Sequence, residues 1–296
     1  MSKEDKMVLA TNIASMNANS TLAMTGNSMA VSVERLGTGL RIKKAQDDPS
    51  GNFISDALRI QASSARQSID NASAAVSMLQ IADKAMSEQS NLLDIIKGKL
   101  IQGASGTTTD DDRHIISGAI SKLLGQFDQI AKQTNFSGVG LLQQSVADDS
   151  ATNAVSFAIG ENTSGKITAS SGVRANTAGL ASAEAHTLAS LKSMSDSASG
   201  LDAVGMNNFM QTVDVALDEL NTYRSDYGSL QNAIESSMRN LMTTQTNIKA
   251  AESVIRDVDY AKESANLQQS ILTYKAGSFA LTQANLMRNN VLDILV

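Results

Sequence analysis

The sequence predicts a mainly α protein, a long antiparallel helical bundle of coiled-coil type with a small β-hairpin. Proline, which breaks helices, occurs once in 296 residues, at Pro49. Large apolar residues recur every seven positions in long segments near both ends of the chain, as on the buried seam of a coiled coil. A short stretch near the middle alternates apolar and small residues, which is typical of a strand.

The first predicted helix covers about residues 21–44. Its apolar stripe advances by seven, four, three and four residues through Leu22, Met29, Val33, Leu36 and Leu40. The segment 46–51 then brings together aspartates that can cap a helix, a proline suited to a first helical turn and a flexible glycine. We therefore expect a turn there, followed by a new helix.

The second predicted helix has the longest early seam. Its members are spaced by seven over about six heptads: Leu58, Ala65, Ala72, Leu79, Met86, Leu93 and Leu100. Residues 103–109 should end this helix, and Asp110–Asp112 place negative charge at the start of the next one. That third helix should reach about Lys132, with the amphipathic stripe Ile116, Ile120, Leu123, Phe127 and Ile130.

The middle of the chain changes character. Residues 155–169 predict a β-hairpin whose turn lies at 160–165. The same turn fits the first seven places of a phosphate-binding loop, but Ile167 stands where a magnesium-binding hydroxyl is required, so we interpret it as a turn. Residues 170–205 are rich in Ser, Ala, Thr and Gly, and we expect an exposed loop with short helical pieces.

Two further helices complete the predicted bundle. After Met206, one long row is again spaced by seven: Val213, Leu220, Tyr227, Ile234, Leu241, Ile248 and Ile255. From residue 257 onward there are two such rows, Leu267, Tyr274, Leu281 and Leu272, Phe279, Leu286. Five residues rotate a helix by about 140°, so these two rows lie on different faces and need more than one neighbour.

The helices at the two ends of the chain therefore lack enough cover within a single molecule. Ordering them costs roughly 1–2 kcal/mol per residue, which one narrow seam does not recover. We predict that they fold on assembly with copies of the chain, and contacts between unlike patches of identical subunits can build a helical fibre. The predicted self-assembly residues are Leu22, Met29, Val33, Leu36, Leu40, Leu267, Leu272, Tyr274, Phe279, Leu281, Leu286 and Leu292.

Composition and motifs argue against several other classes of protein. The balance of 24 Lys and Arg against 30 Asp and Glu is unlike that of a general nucleic-acid binder. Without cysteine, thiol catalysis and thiolate metal sites are excluded, and His114 and His186 lack the spacing of a zinc-binding pair. We expect no catalytic residues, no metal, no cofactor and no membrane insertion, because no apolar run is long enough to span a bilayer.

Motifs at both ends resemble those of the bacterial flagellins. The N-terminal motifs are Thr11-Asn12-Ile13 and the run Glu34-Arg35-Leu36-Gly37-Thr38-Gly39-Leu40-Arg41-Ile42, followed by Asn135-Phe136-Ser137-Gly138. The C-terminal ones are Ile255-Arg256-Asp257-Val258-Asp259, Ala276-Gly277 and Gln283-Ala284-Asn285. The resemblance covers about residues 1–170 and 205–296, in the order that the family shows.

The resemblance implies a filament subunit for swimming motility, secreted without a cleaved signal through the flagellar export apparatus. It divides the chain into an inner-tube layer, D0 (1–45 and 257–296), and an outer helical layer, D1 (46–170 and 206–256), with a short variable surface segment at 171–205. The expected D1 core is Leu58, Leu79, Met86, Leu93, Ile116, Ile120, Leu123, Phe127, Ile130, Val213, Leu220, Tyr227, Ile234, Leu241 and Ile248. Implied partners are the chain itself, an export chaperone, the filament cap and the hook-filament junction proteins.

Two surface features follow from the same resemblance. Ile95, Gly98 and Lys99 replace an Arg-rich motif that the innate immune flagellin receptor recognises in many flagellins, so we expect weak or absent activation of that receptor. Ser193, Ser195, Ser197 and Ser199 alternate on a segment expected to be exposed, which makes them candidates for O-glycosylation.

Two alternative functions share the low proline content and the seven-residue period. A hook-filament junction protein would have the same terminal architecture, usually with weaker motif matches. A coiled-coil signalling rod would not need the hairpin or the paired terminal motifs.

Overall fold

The protein is described by a computed structural model that covers residues 12–143, 156–159, 166–168, 173–182, 186–196 and 201–295. Within these ranges helices dominate, and the mainly α prediction is confirmed. The helices are α1 (Ile13–Thr38), α2 (Pro49–Ala104), α3 (Asp110–Gln133), α4 (Leu188–Ser195), α5 (Ala203–Arg256) and α6 (Tyr260–Leu295). The strands are β1 (Asn135–Phe136), β2 (Val139–Gly140), β3 (Ser156–Ala158) and β4 (Lys166–Thr168).

The chain divides into two compact units. Residues 1–60 and 247–296 form the first unit, and residues 61–246 form the second. The sequence placed its boundaries after residues 45 and 256, where the chain turns. The structural division instead lies inside the long helices α2 and α5, so each of these helices contributes residues to both units. Of the expected D1 core, Leu58 and Ile248 belong to the first unit.

The turn before α2 forms as the sequence predicts. Helix α2 begins at Pro49, where the fixed φ suits the first helical turn and no amide hydrogen is needed. The Oδ1 atom of Asp48 accepts a hydrogen bond from the backbone N–H of Gly51 at 2.9 Å, which is the capping role expected of an aspartate there.

Helix α1 is shorter than predicted at its C-terminal end. It ends at Thr38 because Gly39 adopts the left-handed conformation (φ 72°) and its N–H donates to the carbonyl of Arg35 at 2.9 Å. Leu40, which the sequence assigned to the helical stripe, lies beyond this cap in a backbone bridge with Asp257. The periodicity continued past the helix because spacing alone does not detect a glycine cap.

The core of the second unit is formed by the predicted seams. Leu79, Met86 and Leu93 of α2 are buried, as are Ile116, Ile120 and Phe127 of α3 and Val213, Leu220, Tyr227 and Ile234 of α5. Leu123, Ile130 and Leu241 are partly buried against the same cluster. In α3 the fully buried leucine is Leu124 rather than its neighbour Leu123, a shift of one residue along the stripe.

Helices α2 and α5 run antiparallel, as two ion pairs between them show. Lys97 Nζ lies 2.5 Å from Asp214 Oδ1, and Arg224 Nε lies 2.9 Å from Asp83 Oδ1. The contact nearer the C-terminus of α2 is thus nearer the N-terminus of α5. The two long seams therefore face each other in the orientation that the sequence predicts.

The predicted hairpin is present, and a second, shorter one accompanies it. Strands β3 and β4 are antiparallel with Phe157 opposite Ile167, and Phe157 and Ile159 are buried. The predicted turn at 160–165 lies outside the described residues. Strands β1 and β2 pair across Ser137 and Gly138, whose φ angles of 53° and 84° allow a tight two-residue turn.

Much of the described part of the segment that follows the hairpins is packed, so the prediction of an exposed surface segment at 171–205 is wrong for those residues. Residues Val173, Ala175, Leu180, Ala181, Leu188 and Leu191 are all buried. Three helices hold its backbone through side chains: Gln89 Nε2 donates to the carbonyl of Ala175 at 2.7 Å, Asp128 Oδ1 accepts from the N–H of Thr177 at 2.9 Å, and Glu219 Oε2 accepts from the N–H of Ala181 at 2.8 Å. Small residues allow this close approach, whereas composition alone suggested a loop.

The four candidate serines do not share one environment. Ser195 is buried on the inner face of α4, so it is wrong as an exposed glycosylation site. Ser193 is exposed and remains a prediction. Ser197 and Ser199 lie outside the described residues.

We predict that Gly103→Ala destabilises the second unit. A Cβ atom at Gly103 would lie 2.0 Å from Sδ of Met206, which is itself fully buried, so the Met206 side chain would have to repack within the core. Overpacking of this kind costs about 1–3 kcal/mol and should lower the urea midpoint of unfolding.

The matched control for this variant is Gly98→Ala in the same helix. Nothing lies within 4 Å of a Cβ at Gly98, and replacing a helical glycine there should stabilise the protein by about 0.5–1 kcal/mol. Equal midpoints for the two variants would contradict the close approach at Met206.

Candidate assembly surface

Helices α1 and α6 of the first unit pack side by side in opposite directions. Asn12 Nδ2 donates to the carbonyl of Ala284 at 2.9 Å near one end, and Arg35 Nη1 lies 4.0 Å from Glu263 Oε1 near the other. The contact nearer the C-terminus of α1 is thus nearer the N-terminus of α6, so the pair is antiparallel. Helices α1 and α6 are therefore each other's neighbours within the chain.

The seam between α1 and α6 depends on small residues. A Cβ atom at Gly277 would lie 3.1 Å from Cδ2 of Leu22, and one at Gly26 would lie 3.9 Å from Cε2 of Tyr274. Gly277 thus lets Leu22 approach the backbone of α6, whereas the distance at Gly26 is an ordinary van der Waals contact. Five of the predicted assembly residues are only half-buried here: Leu22, Met29, Leu36, Leu267 and Leu281.

The second predicted row of α6 has no cover within the first unit. Leu272 is 68% exposed and Phe279 is 76% exposed, and Leu286 is exposed as well. Tyr274 and Val33, also predicted for assembly, are exposed despite lying near the seam, and the side chain of Leu292 lies outside the described part. One apolar face of α6 is therefore turned toward α1, and the other faces solvent.

Helix α1 has a second apolar face that the sequence analysis missed. Its members are all exposed: Ile13, Met16, Met24 and Val31. At 100° per residue these four positions fall within about 80° of arc, roughly half a turn from Leu22. Their steps of three, eight and seven residues give a helical face, but a search for an unbroken seven-residue row does not find it.

The connections next to the pair are held by backbone hydrogen bonds. Val258 N–H donates to the carbonyl of Gly39 at 2.9 Å, and Arg41 N–H donates to the carbonyl of Arg256 at 2.7 Å. Ile42 is 2% exposed between them, and no Cβ would fit at Gly51, where Ile42 Cδ1 would be 2.7 Å away. The connection between α1 and α2 is thereby fixed to the connection between α5 and α6.

Charged side chains next to these connections have polar partners. Glu263, which lies in the first turn of α6, is buried and has Arg35 as its partner. A hydrogen bond from Lys43 holds the pKa of the exposed Glu34 carboxyl below its usual range, and the N–H groups of Lys44 and Lys43 do the same for the pKa of Asp47.

The remaining predicted surface residues lie in α2. Ile95 and Gly98 are exposed, and Lys99 is half-buried with its Nζ 3.3 Å from Gln102 Oε1. Across the described ranges, no group of three or more His, Cys, Asp or Glu side chains is arranged to hold a metal ion. None of the described helices has the length and apolar character that a bilayer span requires.

Comparison with known proteins gives family matches in both the N-terminal and the C-terminal part of the chain. The N-terminal helical region of bacterial flagellin matches residues 9–147, and the C-terminal helical region matches residues 210–295. The flagellar filament 33 kDa core protein of Treponema phagedenis is 31% identical, over 98% of this chain and 100% of its own. The flagellin of Bacillus subtilis is 30% identical, over 96% and 98% respectively. The crystal structure of Bacillus cereus flagellin is 23% identical with a TM-score of 0.47, and it covers 62% of this chain and 94% of that chain.

We predict that the side chain of Asn12 has two separable roles. Its Oδ1 accepts from the N–H of Ser15 at 3.0 Å and caps α1, while its Nδ2 binds the carbonyl of Ala284 on α6. Asn12→Ala loses both bonds, about 1 kcal/mol for the cap, whereas Asn12→Asp keeps the cap and loses only the link to α6.

Hydrogen–deuterium exchange of the intact protein measures the two roles separately. The first turn of α1 should exchange faster in Asn12→Ala only, and the region around Ala284 should exchange faster in both variants. Unchanged exchange around Ala284 in Asn12→Asp would contradict the link between the helices.

Proposed function

This chain belongs to the bacterial flagellin family, and we propose that α1 and α6 form the inner layer of a filament assembled from copies of the chain. It is a structural subunit of the flagellar filament and therefore works outside the cell. In this proposal residues 1–45 and 257–296 form the inner layer, D0, and the long helices form the outer layer, D1. The second unit then supplies the part of each subunit that is already closed around its own core.

The observation that carries the proposal is the presence of an uncovered apolar face on each terminal helix. Leu272, Phe279 and Leu286 follow one face of α6, while Ile13 and Met24 belong to the exposed face of α1. Burying a side chain of this size returns about 1.5–3 kcal/mol. Exposed apolar side chains grouped on one face are typical of an interaction site, and neighbouring copies offer the same helices as cover.

The two uncovered faces also suit an open polymer. They are different surfaces, one on α1 and one on α6, so a contact of one with the other joins unlike patches of identical subunits. Such a contact continues from subunit to subunit unless the rotation closes a ring. This favours a long filament over a closed dimer, which would leave one face uncovered.

The alternatives are less well supported. The relatives that match the full chain are filament core proteins and flagellins, which favours a filament subunit over a hook-filament junction protein. A coiled-coil signalling rod does not account for the matches at both termini. The family is structural, and we propose a structural rather than a catalytic role.

Other partners follow from the same exposed faces. Before assembly, α6 presents Leu272 and Phe279 to solvent, and an export chaperone that covers this face would prevent premature association. At the growing end, the filament cap would hold incoming subunits until α1 and α6 are covered. Hook-filament junction proteins would offer the first matching surface.

We expect Phe279→Asp to abolish or strongly slow filament growth. The substitution would place a carboxylate on the face that becomes buried, where an unpaired charge is costly. Growth of purified subunits on filament fragments, followed by negative-stain electron microscopy, measures this directly. Deletion of residues 257–296 should likewise prevent growth while most helicity remains.

The matched control is Val204→Asp, which adds the same charge at an exposed valine in the first turn of α5. A carboxylate is tolerated at a helix N-terminus, so filaments of this variant should form normally. Normal growth of Phe279→Asp, with Val204→Asp behaving alike, would refute the assembly role of this face.

We expect purified monomer to activate the innate immune flagellin receptor weakly or not at all. The α2 surface at Ile95, Gly98 and Lys99 offers neither an arginine fork nor a carboxylate for recognition. A receptor reporter assay, run beside a flagellin that has the Arg-rich motif, measures the difference. Comparable activation at equal concentration would contradict the expectation.

A further inference from the structure

Three methionines lie on the uncovered faces of the terminal helices. Met16, Met24 and Met287 are 62%, 61% and 62% exposed, more than any other methionine that the structure describes. Met16 and Met24 make up half of the exposed apolar face of α1, and Met287 follows Leu286 on α6. The thioether sulfurs of three side chains are thus accessible on the surface proposed for assembly.

We propose that these three methionines are an oxidative modification site, and that their conversion to the sulfoxide in the unassembled subunit prevents its incorporation into the filament. The inference rests on the proposed function, because it concerns the same assembly faces. It adds a chemical control: the state of three sulfur atoms decides whether a subunit can polymerise.

The reaction needs a peroxide as oxidant. Hydrogen peroxide transfers one oxygen atom to the sulfur Sδ, an S–O bond forms, and the O–O bond of the peroxide breaks. The sulfur loses two electrons, and the peroxide is reduced to water. The product is a polar, chiral sulfoxide in place of a flexible apolar thioether, and reduction by a methionine sulfoxide reductase reverses the change.

Position makes this modification consequential. A sulfoxide in solvent keeps its hydrogen bonds to water, but on a face that packs against another copy it must lose them. Ile13, Val31 and Leu286 beside the methionines cannot provide hydrogen bonds from their side chains. Oxidation should therefore be tolerated in the free subunit and disfavour the assembled state.

The other methionines differ in burial and in position. Met86 and Met206 are fully buried in the second unit and should resist the peroxide. Met194 and Met242 are exposed but lie outside the terminal helices, so they should be oxidised without blocking assembly. The chain thus contains both an unreactive control and a reactive control.

Assembly should also protect the three methionines from oxidation. Once α1 and α6 are covered by neighbouring copies, the sulfurs of Met16, Met24 and Met287 are removed from solvent. The filament would then resist an oxidant that inactivates its free subunits. The subunit would be sensitive to the peroxide only between its synthesis and its incorporation into the filament.

The experiment treats intact monomer with hydrogen peroxide, adds filament fragments as seeds, and separates filaments from unincorporated subunits by centrifugation. Peptide mass spectrometry then measures the sulfoxide fraction at each methionine in both samples. We expect the sulfoxide fraction at Met16, Met24 and Met287 to be about tenfold or more lower in the filaments than in the unincorporated subunits. The sulfoxide fraction at Met194 and Met242 should be equal in the two samples.

Two sets of variants test the cause. The triple variant Met16→Leu, Met24→Leu, Met287→Leu keeps apolar side chains of similar volume, and it should polymerise normally before and after peroxide treatment. The double variant Met194→Leu, Met242→Leu should lose its growth on seeds after peroxide treatment, as the unmodified sequence does. Sulfoxide reductase should restore growth of the treated subunits.

The inference is overturned if sulfoxide at the three sites enters filaments as freely as sulfoxide at Met194, or if the triple variant remains peroxide-sensitive. If the triple variant fails to polymerise, the partition of sulfoxides in the unmodified sequence still decides the question. Failure of untreated subunits to grow on seeds would instead refute the proposed function itself, and this inference with it.

Discussion

The interaction on which the structure depends is the packing of α1 against α6, two helices that each carry apolar side chains on opposite faces. One antiparallel seam can cover only one face of each. Leu22 approaches Gly277 closely in that seam, which leaves Phe279 on one helix and Met24 on the other in solvent. Burial of these uncovered apolar faces would be favourable, and the same pair of helices in neighbouring copies can cover them.

The second unit has a closed core of its own, and side chains such as Ile115 and Val204 are exposed outside it. Its core joins seams of α2, α3 and α5 with the segment after the hairpins, and residues such as Phe127, Phe209 and Leu220 are fully buried within it. Stability and association are therefore assigned to different parts of the chain. A subunit of this kind can be folded enough to resist aggregation and still have incomplete ends that drive polymerisation. Oxidation of Met16, Met24 and Met287 would affect polymerisation and not the fold of the second unit.

Sequence reasoning failed where the stabilising partner lies far along the chain. Composition assigned residues 171–205 to the surface because they have few large apolar side chains. The structure buries much of this segment because Gln89, Asp128 and Glu219 hydrogen-bond to its backbone, and these partners come from three helices distant in sequence. The exposed face of α1 was missed for a different reason, since its members do not form an unbroken seven-residue row.

The sequence by itself determined the helices, the hairpin and the family, because periodicity, glycine and proline positions and terminal motifs are local properties of the chain. It also determined that α6 has two apolar faces, since the rotation per residue is the same in any α-helix. Only the tertiary structure decided which face is covered: the row through Leu267 and Leu281 packs toward α1, and the row through Phe279 does not. That choice depends on contacts between residues some 250 positions apart, such as Leu22 and Gly277, and no local pattern specifies them.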